Sequence, residues 1–522
     1  MKNVKIANLF TSNKSILVEE CEVCVVGAGA AGIFLAVELT RQGIDTILLE
    51  AGDLTSIDPK SAGFSAFFED ELYSGATKGR FFGLGGTTSH WGGILVPHTK
   101  YDVKRDNKCI FNTWGHIVNI VNSRGPSVLK KLGWNRKSEF TDFIGKKNHR
   151  YQKLLQILGI GLVLDLSLPF RKKNFSFLLR KLSKSNFKLR IFINSVVYDW
   201  EAISGDCEGR VQAVKVKSSN NNQLSVKANK FIISAGTIES ARILLELNQS
   251  TKGMIIKDTA EIGCYLTDHI SLPVAKLSKD SAVKAIKSFS PRFSHGWMRS
   301  FRFIDDCPDN NMPRSFFHFI FKNDSVGFSL AKEFLTSIQS SRWPKVSIRD
   351  LVLGVVGIIK LGIFKYVYSG LYIPKNADIY LQLDVEQCPN KENRVTLGEE
   401  LDKYGRNVVN IKWKISENDI KNIKFITEKF FQKWQSFEGV ELNTLKEDQN
   451  IAKPFDAYHP VGTCSMGKNK ESVVDENLKV WGVENLWVVS TGVLPSAGTA
   501  NPTFTMLCLA EELIGKIAIN GV

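Results

Sequence analysis

The chain has 522 residues, of which 43% are hydrophobic and 23% are charged. This length exceeds one ordinary domain, and the composition is that of a globular protein, so a disordered or fibrous chain is excluded. The formal net charge of +15 is compatible with a nucleic acid, an anionic membrane surface or an acidic partner. No nucleic-acid-binding module is recognisable, and we predict no nucleic-acid partner. A lysine-rich solvated surface is the simpler interpretation.

The nine cysteines are scattered and odd in number, which is typical of a reducing compartment rather than of a disulfide framework. Cys21 and Cys24 form a C-x-x-C with no second pair, so core packing is favoured and no metal site is predicted. No apolar run reaches the roughly 18 residues of a membrane span, and residues 1–20 lack the apolar core of a signal peptide. The predicted location is cytoplasmic.

The first patterned stretch predicts a strand, a helix and a second strand. Glu22–Val26 is a short, apolar, β-branched run that predicts a buried strand. Ala31–Gln42 carries apolar residues at helical spacing and is followed by Gly43, a common residue after a helix end. Asp45–Leu49 predicts the second strand, which ends in Glu50.

The turn between the first strand and the helix has the pattern G-x-G-x-x-G. Gly27 permits the tight turn, Gly29 lets a pyrophosphate approach the backbone, and Gly32 lets the helix lie close to the strand. Glu50, about 20 residues on, stands where a ribose hydroxyl is bound. The whole pattern predicts a dinucleotide site at the helix N-terminus, against the alternative of a glycine-rich turn that binds nothing. It does not separate NAD from FAD.

A second informative segment is Gly79–Pro97, which reads GRFFGLGGTTSHWGGILVP. Its glycines and hydroxyl residues exclude an ordinary helix or strand. A glycine-rich loop lets a large planar group press on the backbone while N–H groups point towards it. The alternative is a flexible surface loop, but Trp91 and the apolar Ile94–Val96 argue against full exposure.

The middle of the chain contains a basic region and a second strand–turn–helix unit. Arg171–Arg190 holds many basic residues and no acid, and a solvated helix face is favoured there over membrane or nucleic-acid contact. Leu189–Val197 predicts one strand, and Val211–Val216 and Leu224–Lys227 predict two more. Phe231–Ala235 predicts a buried strand that leads through Gly236 into a helix at Glu239–Leu247, which can return the chain to the first sheet.

Residues 315–415 are rich in strand patterns without intervening helices. Ser315–Phe321, Asp378–Glu386, Arg394–Leu397 and Val408–Ile415 therefore predict an antiparallel sheet and a second domain. Between them, Leu351–Ile359 is a short apolar run. Its length favours a segment of the apolar core over a segment that contacts a membrane or a partner. The alternative is peripheral contact with the inner face of a membrane.

Several motifs together resemble the glucose–methanol–choline (GMC) family of FAD-dependent oxidoreductases. They are the Gly27 turn with Glu50, Ile233–Gly236 (ISAG), Gly263–His269 (GCYLTDH), Glu386–Gly398, and His459–Thr463 (HPVGT). Gly85–Trp91 (GGTTSHW) and Asn501–Thr503 are most similar to the sugar-oxidising branch, which includes pyranose oxidases and sugar dehydrogenases. One departure is Ser490-Thr491, which stands where the last FAD-contacting loop usually begins with aspartate.

The resemblance implies an α/β fold in which a Rossmann-like FAD-binding domain is intertwined with an α+β substrate domain built on an antiparallel sheet. The FAD-binding domain is expected at 1–105, 189–272 and 455–522. An insertion or substrate-domain segment is expected at 106–188, and the substrate domain itself at 273–454.

The resemblance also implies FAD as the cofactor and a set of residues that bind it. These are Gly27, Gly29, Ala30, Ala31, Gly32, Glu50, Gly85, Gly86, Thr87, Ser89, His90, Gly92, Val196, Ala235, Gly492, Pro502 and Thr503. In some sugar oxidases a histidine placed like His90 is joined covalently to the flavin. A neutral imidazole is nucleophilic, so a covalent bond at His90 is one alternative; the other, which is favoured, is that His90 only hydrogen-bonds the cofactor or packs beside it with Trp91.

The implied reaction is oxidation of the CH–OH group of a small-molecule alcohol, a sugar or glycoside being favoured. Such a donor loses a proton from oxygen and a hydride from carbon. By resemblance, His459 is the catalytic base and Asn501 binds the substrate oxygen, whereas His269 is interpreted as structural. The electron acceptor stays open between oxygen, a quinone and another protein.

Two other classes of function compete with this interpretation. One is a lyase on the same fold, which binds FAD but transfers no electrons. The other is a non-catalytic, basic binding protein. A hydrolase is disfavoured, since the sequence has no G-x-S-x-G motif and no metal cluster.

Overall fold

The structure is a computed structural model. It describes residues 5–12, 16–103, 113–134, 149–182, 188–205, 208–256, 260–306, 309, 312–435, 437–445 and 453–519. Two large sheets and one small sheet organise these residues. Helices cover the sheets, and the largest apolar core lies around the first of them.

The first sheet is mostly parallel and is built around the predicted strand before the glycine turn. In spatial order its strands are Lys5–Asn8, Leu189–Ile193, Thr46–Leu49, Ile16–Val26, Gln223–Ile233, Arg210–Lys217 and Val196–Ile203, and Leu486–Val488 also pairs with Gln223–Ile233. The last two strands of that series run antiparallel to their neighbours. Helix Ala30–Arg41 is buried from Ala31 to Thr40, and Gly236–Ser250 forms the second strand–turn–helix unit.

Three sequence predictions for this sheet differ from the structure in extent. The first strand is longer, because Ile16–Val26 pairs with Gln223–Ile233 over its whole length. The two predicted strands at 224–227 and 231–235 are therefore one. The single predicted strand Leu189–Val197 is two strands, since Asn194 has a left-handed backbone with φ of 52° that turns the chain.

The second sheet is antiparallel, as predicted. Its spatial order is Leu442–Thr444, His269–Leu277, Ile379–Glu386, Ser315–Phe321, Trp297–Asp305, Ile160–Ser167 and Ile94–Leu95, with Arg292–Ser294 and Phe455–Asp456 as short side pairs. The helices Lys279–Phe289 and Glu417–Trp434 cover one face. Ser416 begins the second helix with a capping box, and Phe430 stacks on Phe317 at 3.8 Å between ring centroids.

A small third sheet and several helices complete the fold. The sheet contains Arg394–Leu401, Asn407–Lys412 and Ala66–Phe68. The remaining helices are Pro59–Ala62, Ser74–Thr77, Lys100–Val103, Trp114–Lys131, His149–Ile157, Phe177–Arg180, Val326–Gln339, Ile348–Tyr366 and Thr503–Ile519. Within the described residues, no helix has the length and apolar character needed to cross a bilayer.

The prediction that Leu351–Ile359 is a core segment is wrong. It lies in helix Ile348–Tyr366, in which only Gly354 is buried. Val352 and Val356 are 70% and 62% exposed. The length and composition of an apolar run do not show whether other parts of the protein bury it. In this structure most side chains of the run are exposed.

The two large sheets draw their strands from different parts of the chain. The first uses segments of the predicted ranges 1–105, 189–272 and 455–522. The second draws mainly on 106–188 and 273–454, with Ile94–Leu95 and the start of His269–Leu277 crossing the expected limits. This interleaving brings the carboxyl ends of the parallel strands against the second sheet, and the candidate site lies there.

Candidate cofactor and catalytic site

The glycine turn has the geometry that a dinucleotide-binding turn requires. Gly27 has a left-handed backbone with φ of 100°. A Cβ on Gly32 would stand 1.7 Å from the carbonyl oxygen of Gly27, so only glycine lets the helix approach the strand this closely. A Cβ on Gly29 would meet nothing within 4 Å, so the backbone there is open to a ligand. The first helical turn carries no acid, which leaves its N–H groups available to a diphosphate.

Glu50 is buried beside this turn and is held by backbone N–H groups. Its Oε2 accepts a hydrogen bond from Ala28 N at 2.8 Å, and its Oε1 accepts bonds from Gly52 N and Gly83 N at 2.9 and 2.8 Å. A carboxylate has about four acceptor positions, so Oε2 keeps one for a hydroxyl. Burial raises the pKa of Glu50, while these N–H groups lower it.

One open cavity connects the glycine turn with the predicted catalytic histidine. The empty space within it is about 1370 Å³, including the part open to solvent. Both Glu50 and His459 line it. A cavity lined by the glycine turn, its buried acid and a histidine fits FAD.

The predicted cofactor residues divide into those that line the cavity and those that support it. The residues in the lining are Gly27, Gly29, Ala30, Ala31, Glu50, Gly86, Thr87, Val196, Ala235, Pro502 and Thr503. The residues outside the lining are Gly32, Gly85, Ser89, His90, Gly92 and Gly492. Several of the latter shape the backbone. Ser89 Oγ donates to Gly86 O at 2.6 Å, and a Cβ on Gly492 would lie 2.9 Å from Thr463 Oγ1.

The glycine-rich loop closes over the glycine turn rather than forming a flexible surface loop. Gly85 N donates to Ala28 O at 2.9 Å, and Trp91 Nε1 donates to Lys173 O at 2.8 Å. His90 is exposed and does not line the cavity. Its Nε2 lies 3.0 Å from Ser56 Oγ, and its ring stacks on the cavity residue Phe81 at 3.7 Å between centroids. The structure therefore places His90 one ring away from the lining.

At the other end of the cavity, a chain of hydrogen bonds orders two histidine rings. His269 Nε2 lies 3.0 Å from Gly498 O, which can only accept, so His269 Nε2 carries the proton. His269 Nδ1 is then an acceptor for His459 Nδ1, at 3.1 Å. His459 Nε2 is left without a proton, and Asn501 Nδ2 donates to it at 2.9 Å. The network fixes the tautomer that exposes a basic nitrogen.

The amide of Asn501 is itself oriented by a buried ion pair. Arg302 Nη2 donates to Asn501 Oδ1 at 2.7 Å, which places the amide Nδ2 towards the histidine. The same guanidinium makes two bonds to Asp165, from Nε at 2.6 Å and Nη2 at 2.9 Å. It also donates to Thr499 O at 2.9 Å. A wrongly flipped amide would place two acceptors against each other at Nε2.

Asp268 fixes the backbone of the histidine. Its carboxylate accepts bonds from His459 N at 2.8 and 3.0 Å, from His269 N at 2.7 Å, and from the Tyr73 hydroxyl. Burial raises the pKa of Asp268 to about 8, whereas the Tyr73 bond and the two N–H groups lower it. For His459, burial and then the adjacent His269 lower the pKa to about 3, so its ring is neutral near pH 7.

Asp268, His269 and His459 also satisfy the spacing of a metal-binding group, with ligand atoms within 4.8 Å of one another. Their hydrogen bonds argue for another use. The Asp268 oxygens already accept bonds from two N–H groups and a hydroxyl, and the two histidine Nδ1 atoms bind each other. A metal ion would have to break this network.

Sequence reasoning missed Arg302, Asp165 and Asp268 as site residues. Asp165 is the only charge in the strand Ile160–Ser167, and Arg302 lies between apolar residues in the strand Trp297–Asp305. Buried charges are almost always paired. Each of these charges therefore indicated an ion pair, but the sequence did not show which residue would complete it. Asp268 stood in the quoted motif GCYLTDH, but nothing local showed that its carboxylate would face the loop before His459.

Comparison with known proteins identifies two regions of the chain. The family model described as GMC oxidoreductase matches residues 389–510, which include His459 and Asn501. The model described as FAD binding domain matches residues 20–67, which include the glycine turn and Glu50.

Three curated relatives show different extents of similarity. The chain is 34% identical to 2-methyl-1,2-propanediol dehydrogenase of Mycolicibacterium austroafricanum over 127 residues, 24% of this chain and 22% of that protein. It is 23% identical to the fructose dehydrogenase large subunit of Gluconobacter japonicus over 94% of this chain and 96% of that one. Oxygen-dependent choline dehydrogenase of Acinetobacter baumannii is 23% identical over 57% of this chain and 52% of the relative.

Solved structures agree on the fold along nearly the whole chain. Pyridoxine 4-oxidase from Mesorbium loti superposes with a TM-score of 0.59 at 16% identity, covering 96% of this chain and all of that one. The R554A variant of formate oxidase from Aspergillus oryzae RIB40 gives 0.56 at 16% identity, over 96% of this chain and 98% of the other.

The parallel sheet, the glycine turn and the cavity define an FAD-binding flavoprotein fold. The domain matched at residues 389–510 carries His459 and Asn501, and His459 pairs with His269 from the strand His269–Leu277. Residues 389–510 therefore carry the domain of the GMC oxidoreductases, residues 20–67 carry the FAD-binding domain, and FAD is the cofactor.

Proposed function

We propose that the protein oxidises the CH–OH group of a small-molecule alcohol, with a sugar or glycoside as the favoured donor. The observation that carries this proposal is the unprotonated Nε2 of His459, which faces the same cavity as the glycine turn and is paired with an amide donor. A base and a donor side by side suit the hydroxyl group of an alcohol, since one accepts its proton and the other binds its oxygen.

In this mechanism the substrate hydroxyl takes the place of the Asn501 amide at the single lone pair of His459 Nε2, and that nitrogen accepts the hydroxyl proton. The Nδ1–H bond of His459 to His269 holds the ring so that this nitrogen stays available. Asn501 Nδ2 stabilises the negative charge that develops on the substrate oxygen, and Arg302 keeps the amide from turning over. FAD, when bound, supplies the hydride acceptor.

The lowered pKa of His459 is consistent with the role of base at neutral pH. A ring with a pKa of about 3 is almost wholly unprotonated at pH 7, so no proton must leave before the reaction. Such a ring is also a weak base. The adjacent negative charge on the substrate oxygen would raise the pKa of His459 during proton transfer, because opposite charges stabilise the imidazolium.

A sugar or glycoside is the favoured donor for two reasons. The GGTTSHW and Asn501–Thr503 motifs resemble the sugar-oxidising branch. The match to the fructose dehydrogenase large subunit also spans nearly all of both chains, whereas the other two curated matches span about half or less of those relatives. The His90–flavin bond is the less favoured alternative within the same assignment.

The test begins with purified protein and its bound flavin. Anaerobic addition of a panel of sugars, glycosides and simple alcohols should bleach the flavin absorbance with at least one member. Bleaching by an alcohol excludes both a lyase without net electron transfer and a non-catalytic binding protein. If every sugar and alcohol leaves the spectrum unchanged while dithionite bleaches it, the proposed donor class is wrong.

A further inference from the structure

Among the described residues, large exposed apolar side chains are concentrated on a pair of helices that we call the apolar hairpin, Val326–Gln339 and Ile348–Tyr366. Besides Val352 and Val356, the side chains of Ile348, Ile338 and Ile359 are 82%, 65% and 55% exposed. Contiguous apolar surface of this kind marks an interaction site rather than ordinary solvent contact.

The two helices are tied mainly to each other by glycine. A Cβ on Gly327 would lie 2.5 Å from Gly357 Cα, and a Cβ on Gly354 would lie 2.6 Å from Leu330 Cδ2. Their backbones therefore touch at the crossing. Close packing through glycine stabilises a helix pair without consuming its large apolar side chains, as in helix pairs within membranes.

Basic residues surround the exposed apolar side chains. Lys332, Lys345, Arg349 and Lys360 are exposed along the hairpin. Its two acids are engaged: Glu333 pairs with Arg342 at 2.7 Å, and Asp350 accepts a bond from Ser347 Oγ at 2.6 Å. The neighbouring groove beside Ile338 adds Arg171 and Arg180. The surface is apolar at its centre and cationic around it.

Exposed aromatic residues stand near the two ends of the second helix. Trp343, before it, is 91% exposed, and Tyr366 and Tyr368, at its C-terminal end, are 80% and 60% exposed. Trp and Tyr are the residues that prefer the boundary between lipid headgroups and hydrocarbon. The second helix is about 28 Å long, at 1.5 Å per residue. Because it contains lysines and is not apolar enough to cross a bilayer, it fits a position parallel to the bilayer surface.

We propose that the apolar hairpin docks the protein on the surface of an anionic phospholipid bilayer. The apolar side chains enter the boundary region, and the surrounding lysines and arginines contact anionic headgroups. The charge pattern favours this occupant over a second copy of the chain, because two copies would bring these like-charged surfaces together.

Docking would hold the glycine-rich loop close to the bilayer. Gln339, the last residue of the first helix, donates from Nε2 to Thr88 O at 2.9 Å and to Trp91 O at 3.0 Å. Asn174 Nδ2 in turn donates to Gln339 O at 2.9 Å. The hairpin is thus joined by direct hydrogen bonds to the loop whose Thr87 lines the cavity.

The test is sedimentation of the flavin-loaded protein with vesicles. Wild-type protein should bind vesicles that contain phosphatidylglycerol, and should bind pure phosphatidylcholine less strongly. The double variant Val352→Asp/Val356→Asp should bind at least tenfold more weakly, because charged groups partition poorly into the apolar region. Lys345→Glu should weaken binding to the anionic vesicles by about fivefold or more.

A matched control carries aspartates elsewhere. Met254 and Leu401 are 62% and 63% exposed outside the hairpin, so Met254→Asp/Leu401→Asp should bind vesicles like the wild type. A second measurement uses Trp343→Phe. Vesicles should shift the wild-type tryptophan emission to shorter wavelength, and the shift should be smaller in this folded variant.

The proposal is overturned if wild-type protein binds neither kind of vesicle. It is also overturned if light scattering shows a lipid-free dimer that Val352→Asp/Val356→Asp dissociates, since the hairpin would then be a subunit interface. Equal loss of vesicle binding in the Met254→Asp/Leu401→Asp control would likewise contradict it.

Discussion

Replacing Arg302 with methionine should slow the reaction while leaving FAD in place. Arg302 does not line the cavity, but its guanidinium donates to Asn501 Oδ1 and so directs the amide towards His459. A hydrogen bond from a charged donor is worth about 1.5–3 kcal/mol. Since each 1.36 kcal/mol changes a rate tenfold, flavin reduction by the donor should slow by about 10- to 100-fold.

The same substitution leaves Asp165 buried without its partner, which costs about 3–5 kcal/mol of stability. A companion variant, Arg302→Met/Asp165→Leu, removes both charges and should recover most of that stability without recovering the rate. This separates the orientation of the amide from folding.

The assay is anaerobic stopped-flow absorbance with saturating donor, so that the limiting rate reports the reaction rather than binding. Arg242 provides the control, because it forms another buried ion pair, with Asp402 at 2.7 Å, and does not line the cavity. Arg242→Met should lower stability and leave the limiting rate unchanged. Wild-type flavin reduction in Arg302→Met would refute the positioning role.

Three further outcomes follow. Gly32→Ala should lose bound FAD and thermal stability, since its Cβ would lie 1.7 Å from Gly27 O, whereas Gly115→Ala, with open space around it, should lose neither. The pKa of His459 in the folded protein lies below its unfolded value of about 6.5, so the unfolded chain binds the proton first as pH falls. The free energy of unfolding should therefore fall below pH 6.5, and His459 should contribute at most about 2 kcal/mol of that fall at pH 5. In urea titrations, His459→Asn should show a smaller fall than the wild type. If His90 is bonded to the flavin, acid-precipitated protein should stay yellow, with the mass of FAD on a His90 peptide; complete release of flavin would exclude that bond.

The fold could be predicted from the sequence where the spacing of apolar residues and the residue preferences of turns and helices point to the same element. The glycine turn and the adjoining helix each combine a residue preference with a neighbouring pattern, and the bounds of helix Ala30–Arg41 differ from the prediction by one residue at each end. The strand at Ser315–Phe321 matches its prediction. Strand extents were harder, because pairing with a distant strand decides where Gln223–Ile233 begins and ends.

The candidate site was only partly predictable for a related reason. His459 and Asn501 could be identified by their motifs, but the groups that set their tautomer and orientation come from three other elements. Gly498, His269 and Arg302 act through contacts over long sequence separations. The apolar run at 351–359 was misjudged because composition alone does not show whether protein covers a helix.

The central claim is that His459 is the catalytic base, and the direct measurement is anaerobic flavin reduction in His459→Ala. The variant should retain its flavin and be bleached normally by dithionite. With the donor identified by the wild-type screen, its limiting rate of flavin reduction should be about 10²–10⁴ times slower, the usual contribution of general-base catalysis. A variant that reduces its flavin as fast as the wild type would contradict the account.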